Sequence, residues 1–425
     1  MKNMQYTLIL IFTLFLLFSC ESNVSDPGLE DSTGELQREL TAVEKMLIEA
    51  DQSFSYDIFQ RTVVNDSDNE NVFISPLSIS MALAMTLNGA QGETFEDIRG
   101  ALYLNAMDSG EINKAYQSLI KLLVSADPDV TLKIANSIWY DEWLPVKEEF
   151  REQLLEYYDA EISGLDFNDP ASVDIINEWV NENTEGLIEK IVEDIPEEMV
   201  LYLINAIYFK GDWLQQFDPD DTQKADFNLE SGEQVDVDMM SQEGRFATYF
   251  SNDVQMIELP YGDSLYTMTV MMPGDPDMAI DDFVNEKVTA SNLENWRSNL
   301  TVDSRNVTVN LPKFELGYEI EYSDILKSMG MEIAFDDRNA DFSGIADLNE
   351  LNEPAQHGLA INEVKHKTFI RVDEEGSEAA AVTSVGVGIV SMPPQMIVNR
   401  PFVFIIYERE SGANLFMGKM KNPVL

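Results

Sequence analysis

Among the 425 residues there is one cysteine, Cys20, so no disulfide can form within the chain. Histidine is nearly as scarce, with only His357 and His366. No HExxH, nucleophile elbow or phosphate-binding loop occurs. With so few candidate bases and nucleophiles, an enzyme is not expected, and no catalytic residue, metal ligand or cofactor is assigned. Asp66-Ser67-Asp68-Asn69-Glu70 is faintly similar to a calcium loop, but it lacks a glycine at its sixth position and a carboxylate at its twelfth. It reads as a solvated turn. Basic residues are few as well: 27 against 77 acidic ones, a net charge of −50. A nucleic-acid partner is excluded, because phosphate binding needs clustered Lys and Arg. The acidic excess is dispersed along the chain and reads as a solvated surface, with self-repulsion at low ionic strength as its cost.

The N-terminus is short of hydrophobic length. After Lys2, the uncharged run from Tyr6 to Phe18 is about 13 residues, too short to span a bilayer and suited to a secretory signal. Leu17-Phe18-Ser19-Cys20 closes that run and resembles a bacterial lipoprotein signal, which implies a lipidated Cys20 and removal of residues 1–19. The polar, acidic stretch 20–40 then reads as a flexible tether, with a coil dimension of about 25 Å. Export follows, either with a lipid anchor in the bacterial envelope or, failing that, by secretion. Contact with the membrane would be through that anchor alone.

From Thr41 the apolar spacing becomes helical, and Ser75-Pro76 starts a second helix over Leu77–Leu87 that ends at Asn88-Gly89. Further helices are expected at 93–104, 110–125, 146–158 and 170–184. Strands are expected at 129–139, 199–209, 224–229, 245–259, 265–272, 305–318 and 359–372. Helices dominate the first half and strands the second, an α+β chain with one core and no linker between folded units. His366 falls in the strand-like run Ile361–Val372, where a hydrogen-bonded core histidine is the expectation.

One segment stands apart. Residues 379–399 carry no charge in a chain that is 24% charged, where about five charges would be expected. Glycines, hydroxyls and Pro393-Pro394 argue against a helix. Read with period two, Ser377, Ala379, Ala381, Thr383, Val385, Val387 and Ile389 share one face, small first and apolar later. The segment can serve as a buried strand or as an exposed loop.

The chain downstream decides between these. Pro401–Tyr407 and Leu415–Pro423 read as two strands joined by a turn. Together with the loop before them they resemble the C-terminal signature of the serpins. The hinge motif of that family is matched by Glu374, Gly376, Ser377, Ala379, Ala380 and Ala381, with Glu378 between. Asn71–Ser80 with Leu87–Ala90, Leu203–Trp213 and Leu311–Phe314 with Ile325–Met331 match other signatures in family order, so the similarity spans roughly 40–425. It implies an α+β serpin domain over 41–425, with eight or nine helices around three β-sheets and a reactive-centre loop at about 374–394. By the same resemblance Ser75, Ser78, Asn205 and His366 form a buried polar "shutter", and Trp213 the "breach" at the top of the main sheet. A basic glycosaminoglycan-binding helix, present in some members, is not visible: Ile112–Val124 has only Lys114 and Lys121.

The resemblance further implies a monomer that traps serine proteases as a suicide substrate, its cleaved loop entering the main sheet as a new strand. Counted from Glu374 with the loop length of inhibitory members, the attacked bond is Val390–Ser391. Valine there suits a shallow apolar pocket of the elastase kind, or a subtilisin-like one. No Arg or Lys lies between Glu378 and Arg400 to suit trypsin. Val382 departs from the small residues the family prefers; it faces outward, and a slight slowing of insertion is expected. The alternative is a non-inhibitory serpin, a binding or chaperone-like module. Such members carry bulky or charged hinge residues or proline, unlike Ser377 and Ala379–Ala381.

Overall fold

In the computed structural model, which describes residues 38–67, 69–303, 305–348, 358–377 and 394–424, local sequence signals set the helix ends. Thr41 caps α1 (Ala42–Asn65) through a reciprocal box: Glu44 N–H donates to its hydroxyl, and its own N–H donates to the Glu44 carboxylate at 2.7 Å. Ser75 caps α2 (Pro76–Leu87), with Pro76 at the first helical position. The other helices are α3 (Gly92–Ala101), α4 (Ser109–Val124), α5 (Glu148–Tyr158), α6 (Ala171–Asn183), α7 (Ile280–Lys287), α8 (Ala290–Ser298) and the short α9 (Ser323–Leu326). Among the described residues there are thus nine, in line with the eight or nine expected.

The strands in chain order are β1 (Val72–Ile74), β2 (Val130–Asp141), β3 (Glu161–Leu165), β4 (Leu201–Asp212), β5 (Gln223–Asn228), β6 (Gln234–Gly244), β7 (Ala247–Phe250), β8 (Val254–Pro260) and β9 (Tyr266–Pro273). They continue as β10 (Thr301–Val302), β11 (Val307–Pro312), β12 (Phe314–Glu321), β13 (Lys365–Val372), β14 (Gly376–Ser377), β15 (Gln395–Ile397), β16 (Phe402–Glu408) and β17 (Asn414–Met420). An antiparallel sheet runs β1-β17-β16-β9-β8-β7-β10, and a second runs β15-β11-β6-β5. The remaining strands form β14-β4-β2-β3 and the pair β12-β13. Phe73 stacks on Phe404 and Phe416 at 5.7 and 5.3 Å, and Phe209 of β4 meets Phe416 edge-on, joining the sheets through one core. A smaller core of Trp139, Ile176, Val180 and Ile188 seats α6 on β2 and β4.

Several expectations need correction. The strand expected over 245–259 is two, because Ser251 turns the chain back with its N–H on the Val254 carbonyl. The strand over 305–318 is also two, broken at Pro312-Lys313. The one over 359–372 begins only at Lys365. Strands β3 and β6 and helices α7 and α8 were not anticipated; exposed Asp236 and Asp238 interrupt the apolar signal of β6. Three sheets were expected, but the described strands fall into four hydrogen-bonded groups. The expected main sheet is divided, with no ladder between β4 and β13 among the described residues.

Candidate functional site

The divided sheet is the site. A cavity of about 140 Å³ lies between Leu201–Ile207 of β4 and Lys365–Lys367 of β13, with Ser78 and Ala82 of α2 in its lining. A second, of about 40 Å³, continues between Ile207–Phe209 and Phe369–Arg371. Two strand edges face one another across a mostly apolar gap, which is the geometry of an acceptor for one more strand.

At one end of the gap the chain after β13 turns back and begins to fill it. Gly376 and Ser377 pair antiparallel with Asp212 and Gly211 of β4. Gly376 has φ +142°, and a Cβ there would lie 2.3 Å from the Gly211 carbonyl oxygen, so only glycine fits. Trp213, buried, donates its backbone N–H to the Glu375 carbonyl (2.9 Å) and its indole N–H to the Asp373 carbonyl (3.0 Å). Glu374 is 7% exposed and accepts from Lys313 Nζ at 2.6 Å and Thr222 Oγ1 at 2.7 Å. Burial opposes its ionisation, but Lys313 and Thr222 together outweigh that and hold the carboxyl below its ordinary range. Lys313 lies in the Leu311–Phe314 motif, yet nothing in the sequence pairs it with Glu374; the partner comes from 61 residues away.

Midway along the gap, Ser75, Ser78, Asn205 and His366 come together. The Ser75 N–H donates to His366 Nε2 (2.9 Å), and its hydroxyl donates to the Leu415 carbonyl (2.7 Å). Ser78 Oγ donates to the Asn205 carbonyl at 3.4 Å, and Asn205 Nδ2 donates to Asn136 Oδ1 at 2.8 Å. Asn136 had no place in the sequence reading; as one polar residue within a strand it gave no signal. Burial pushes His366 down to about 3, so the ring is neutral, accepts on Nε2 and carries its proton on Nδ1. Asn205 Oδ1 is buried and has no partner.

Cys20, Glu378, Ala379, Ala380, Ala381, Val390 and Ser391 lie outside the described residues, as does the side chain of Ser377. No group of three or more metal-binding side chains occurs among the described residues, and none of their helices is long and apolar enough to cross a membrane.

A family model described as serpin (serine protease inhibitor) matches residues 49–423. Human neuroserpin is 33% identical over 392 residues, covering 88% of this chain and 91% of that protein. The native-state crystal structure of the thermophilic serpin tengpin matches with a TM-score of 0.79 at 30% identity, covering 91% of this chain and 95% of that one. Human thyroxine-binding globulin, solved in complex with thyroxine, matches with a TM-score of 0.80 at 27% identity, over 90% of this chain and all of that one.

Proposed function

The chain belongs to the serpin family, and from that premise we propose that it is an inhibitory member, directed at serine endopeptidases of the elastase kind. Serpins in general are suicide-substrate protease inhibitors, so the bare expectation of a non-enzyme gives way to a more specific one. The chain enters covalent chemistry as the substrate, and the catalytic groups belong to the protease.

The observation that carries this reading is the hinge at the mouth of an unfilled sheet: Gly376 and Ser377 are paired to β4, and the gap beyond them is open. In the proposed sequence, the protease serine oxygen bonds to the Val390 carbonyl carbon and the Ser391 amine departs with the downstream chain. The loop then extends the register already begun. Continued antiparallel from Ser377↔Gly211, that register sets Thr383 opposite Asn205, whose Oδ1 is otherwise unpaired. The side chains on the inward face, Ser377 through Ile389 at every second position, carry no charge to desolvate. Ser75, Ser78, Asn205 and His366 would then be the polar contacts at the point where β4 and β13 part, and Trp213 the residue against which the hinge turns. The native state would be metastable, held by a barrier. The fold's likeness to thyroxine-binding globulin keeps a non-inhibitory binding role as the second reading.

Mixing the domain with elastase-like or subtilisin-like proteases is expected to give an SDS-resistant complex at near one-to-one stoichiometry, whereas trypsin gives none. Val390→Arg should move trapping toward trypsin by supplying the charge its pocket requires. Mass spectrometry of the released peptide checks the register: any first residue other than Ser391 displaces the proposed bond.

We further propose that residues 1–19 are a lipoprotein signal, that Cys20 is lipidated, and that 20–40 tether the serpin domain to the bacterial envelope. One thioether-linked diacylglycerol plus an N-acyl chain exceeds what stable anchoring needs. Metabolic labelling with an alkynyl fatty acid should mark the mature protein and partition it with membranes, and Cys20→Ala should lose both. An unlabelled wild type would leave plain secretion.

A further inference from the structure

One polar atom in the wall of the gap is fixed in place with nothing to bond. The direction of each amide follows from its neighbours. The Tyr158 carbonyl can only accept, so Asn136 turns Nδ2 to it (2.8 Å) and is left with Oδ1 toward Asn205. Asn205 therefore gives its Nδ2 to that oxygen at 2.8 Å, with Met81 Sδ of α2 at 3.8 Å from the same nitrogen. Its own Oδ1 remains an acceptor without a donor, and it is buried. Leaving a buried acceptor unmade is costly, so the position favours anything that donates to it. Tyr202, three residues earlier in β4, likewise brings a buried hydroxyl with no partner.

Asn205 and Tyr202 both line the cavity of about 140 Å³, whose other walls are mainly apolar: Ala82 of α2, Leu203 and Ile207 of β4, Phe342 and Ile345. The segment between α6 and β4 roofs it through Ile188 and Val192. That roof is pinned by hydrogen bonds. Asn177 of α6 accepts the N–H groups of Ile191 (2.9 Å) and Val192 (3.0 Å) on Oδ1 and donates Nδ2 to the Val192 carbonyl (2.7 Å). The Ile188 N–H donates to the Thr184 hydroxyl at 3.1 Å.

Size and polarity select the occupant. An apolar cavity of about 150 Å³ takes up benzene, whereas each water needs two to four polar partners. A single aromatic ring is the size that fits here. Asn205 Oδ1 only accepts, so the ring must carry a donor. A charged ligand is disfavoured, because it would be desolvated without a counter-ion. The lysines in the lining, Lys365 and Lys367, already pair with Glu363 and Glu319 at 3.0 Å each.

We propose that this cavity binds a neutral, phenol-like molecule, which donates to Asn205 Oδ1, sets its ring between β4 and β13 and keeps the uncleaved protein out of the inserted state. The regulatory half rests on the reading that the cleaved loop enters this gap. In that register Thr383 falls opposite Asn205, so strand and ligand compete for one place. A ligand that binds only the empty gap slows insertion in proportion to its occupancy. At ten times its Kd about one molecule in eleven is unoccupied, and insertion slows about tenfold.

Calorimetric titration of the uncleaved protein with phenol, and with benzene as the ring that lacks a donor, tests the site. Phenol should bind saturably and about tenfold more tightly than benzene. Asn205→Leu removes the acceptor at similar size and should erase that difference. Ala82→Phe, which puts a ring into the cavity from α2, should abolish uptake of both and carries the test if the Asn205 variant does not fold. No saturable uptake by the wild type, or undiminished uptake by Ala82→Phe, overturns the site. Trapping of elastase in phenol at ten times its Kd reads the second half, with elastase turnover of a small peptide substrate as the control. Trapping should slow about tenfold and more of the protein should be cleaved as a substrate; unchanged trapping overturns the regulation. Phenol binding without any trapping would sink the inhibitory reading and leave the site standing; trapping without phenol binding would do the reverse.

Discussion

Ser377→Arg should convert the protein from an inhibitor into a substrate. In the proposed mechanism trapping is a race between strand insertion and hydrolysis of the acyl-enzyme, and insertion would start at Ser377, whose backbone is paired with Gly211 ahead of the open gap. The period-two pattern assigns its side chain to the uncharged face that is buried as the loop enters. A guanidinium there is an unpaired buried charge, at a penalty of several kcal/mol. If about 2.7 kcal/mol of that reaches the insertion barrier, insertion slows roughly a hundredfold and hydrolysis wins. The variant should be cleaved at Val390–Ser391, leaving active protease and no SDS-resistant band. The wild-type domain, once cleaved, should melt at a much higher temperature than before, because the gap between β4 and β13 is then filled. A calorimetric scan without that gain would mean the loop does not insert, and the non-inhibitory reading would stand in its place.

Asp51→Asn should stabilise the native domain at neutral pH and flatten its pH profile. Asp51 of α1 is 6% exposed and accepts one hydrogen bond on Oδ1, from the Tyr116 hydroxyl of α4 at 3.0 Å; Oδ2 has no partner. Burial pushes its carboxyl up to about 7, only partly opposed by the hydroxyls of Tyr116 and Ser80. In the unfolded chain the same group titrates near 4. Its contribution is therefore intact below about pH 4 and lost progressively as pH rises to about 7. At about 1.4 kcal/mol per unit, ionised Asp51 destabilises the folded domain by an amount on the order of 4 kcal/mol at pH 8. Asparagine removes the charge and retains the acceptor for Tyr116. Unfolding of the uncleaved domain from pH 4 to 8 should show a declining wild-type stability and a nearly level variant; parallel curves would mean that Asp51 is not the group responsible.

Much of this protein was legible in its residues. Caps such as Thr41 and Ser75-Pro76 are local, each satisfying backbone groups within one turn, so α1 and α2 begin where expected. Strands β16 and β17 are buried along their whole length, and their apolar runs announced them. Strands whose outward positions carry carboxylates, such as β6, were hidden, because half of an alternating pattern in so acidic a chain looks like loop.

By itself, the sequence determined the family, the hinge motif, the absence of a disulfide and the uncharged run that follows the hinge. Those depend on residue identity and spacing, which survive without coordinates. Tertiary structure alone decided that β4 and β13 stand apart, that Lys313 and Thr222 hold Glu374, that Asn136 joins Asn205, and that the Asp263 N–H reaches the buried Asp127 carboxyl. Each of these joins residues dozens or more apart, and a side chain's neighbours and its proton are set by burial and by what the fold brings within hydrogen-bonding reach.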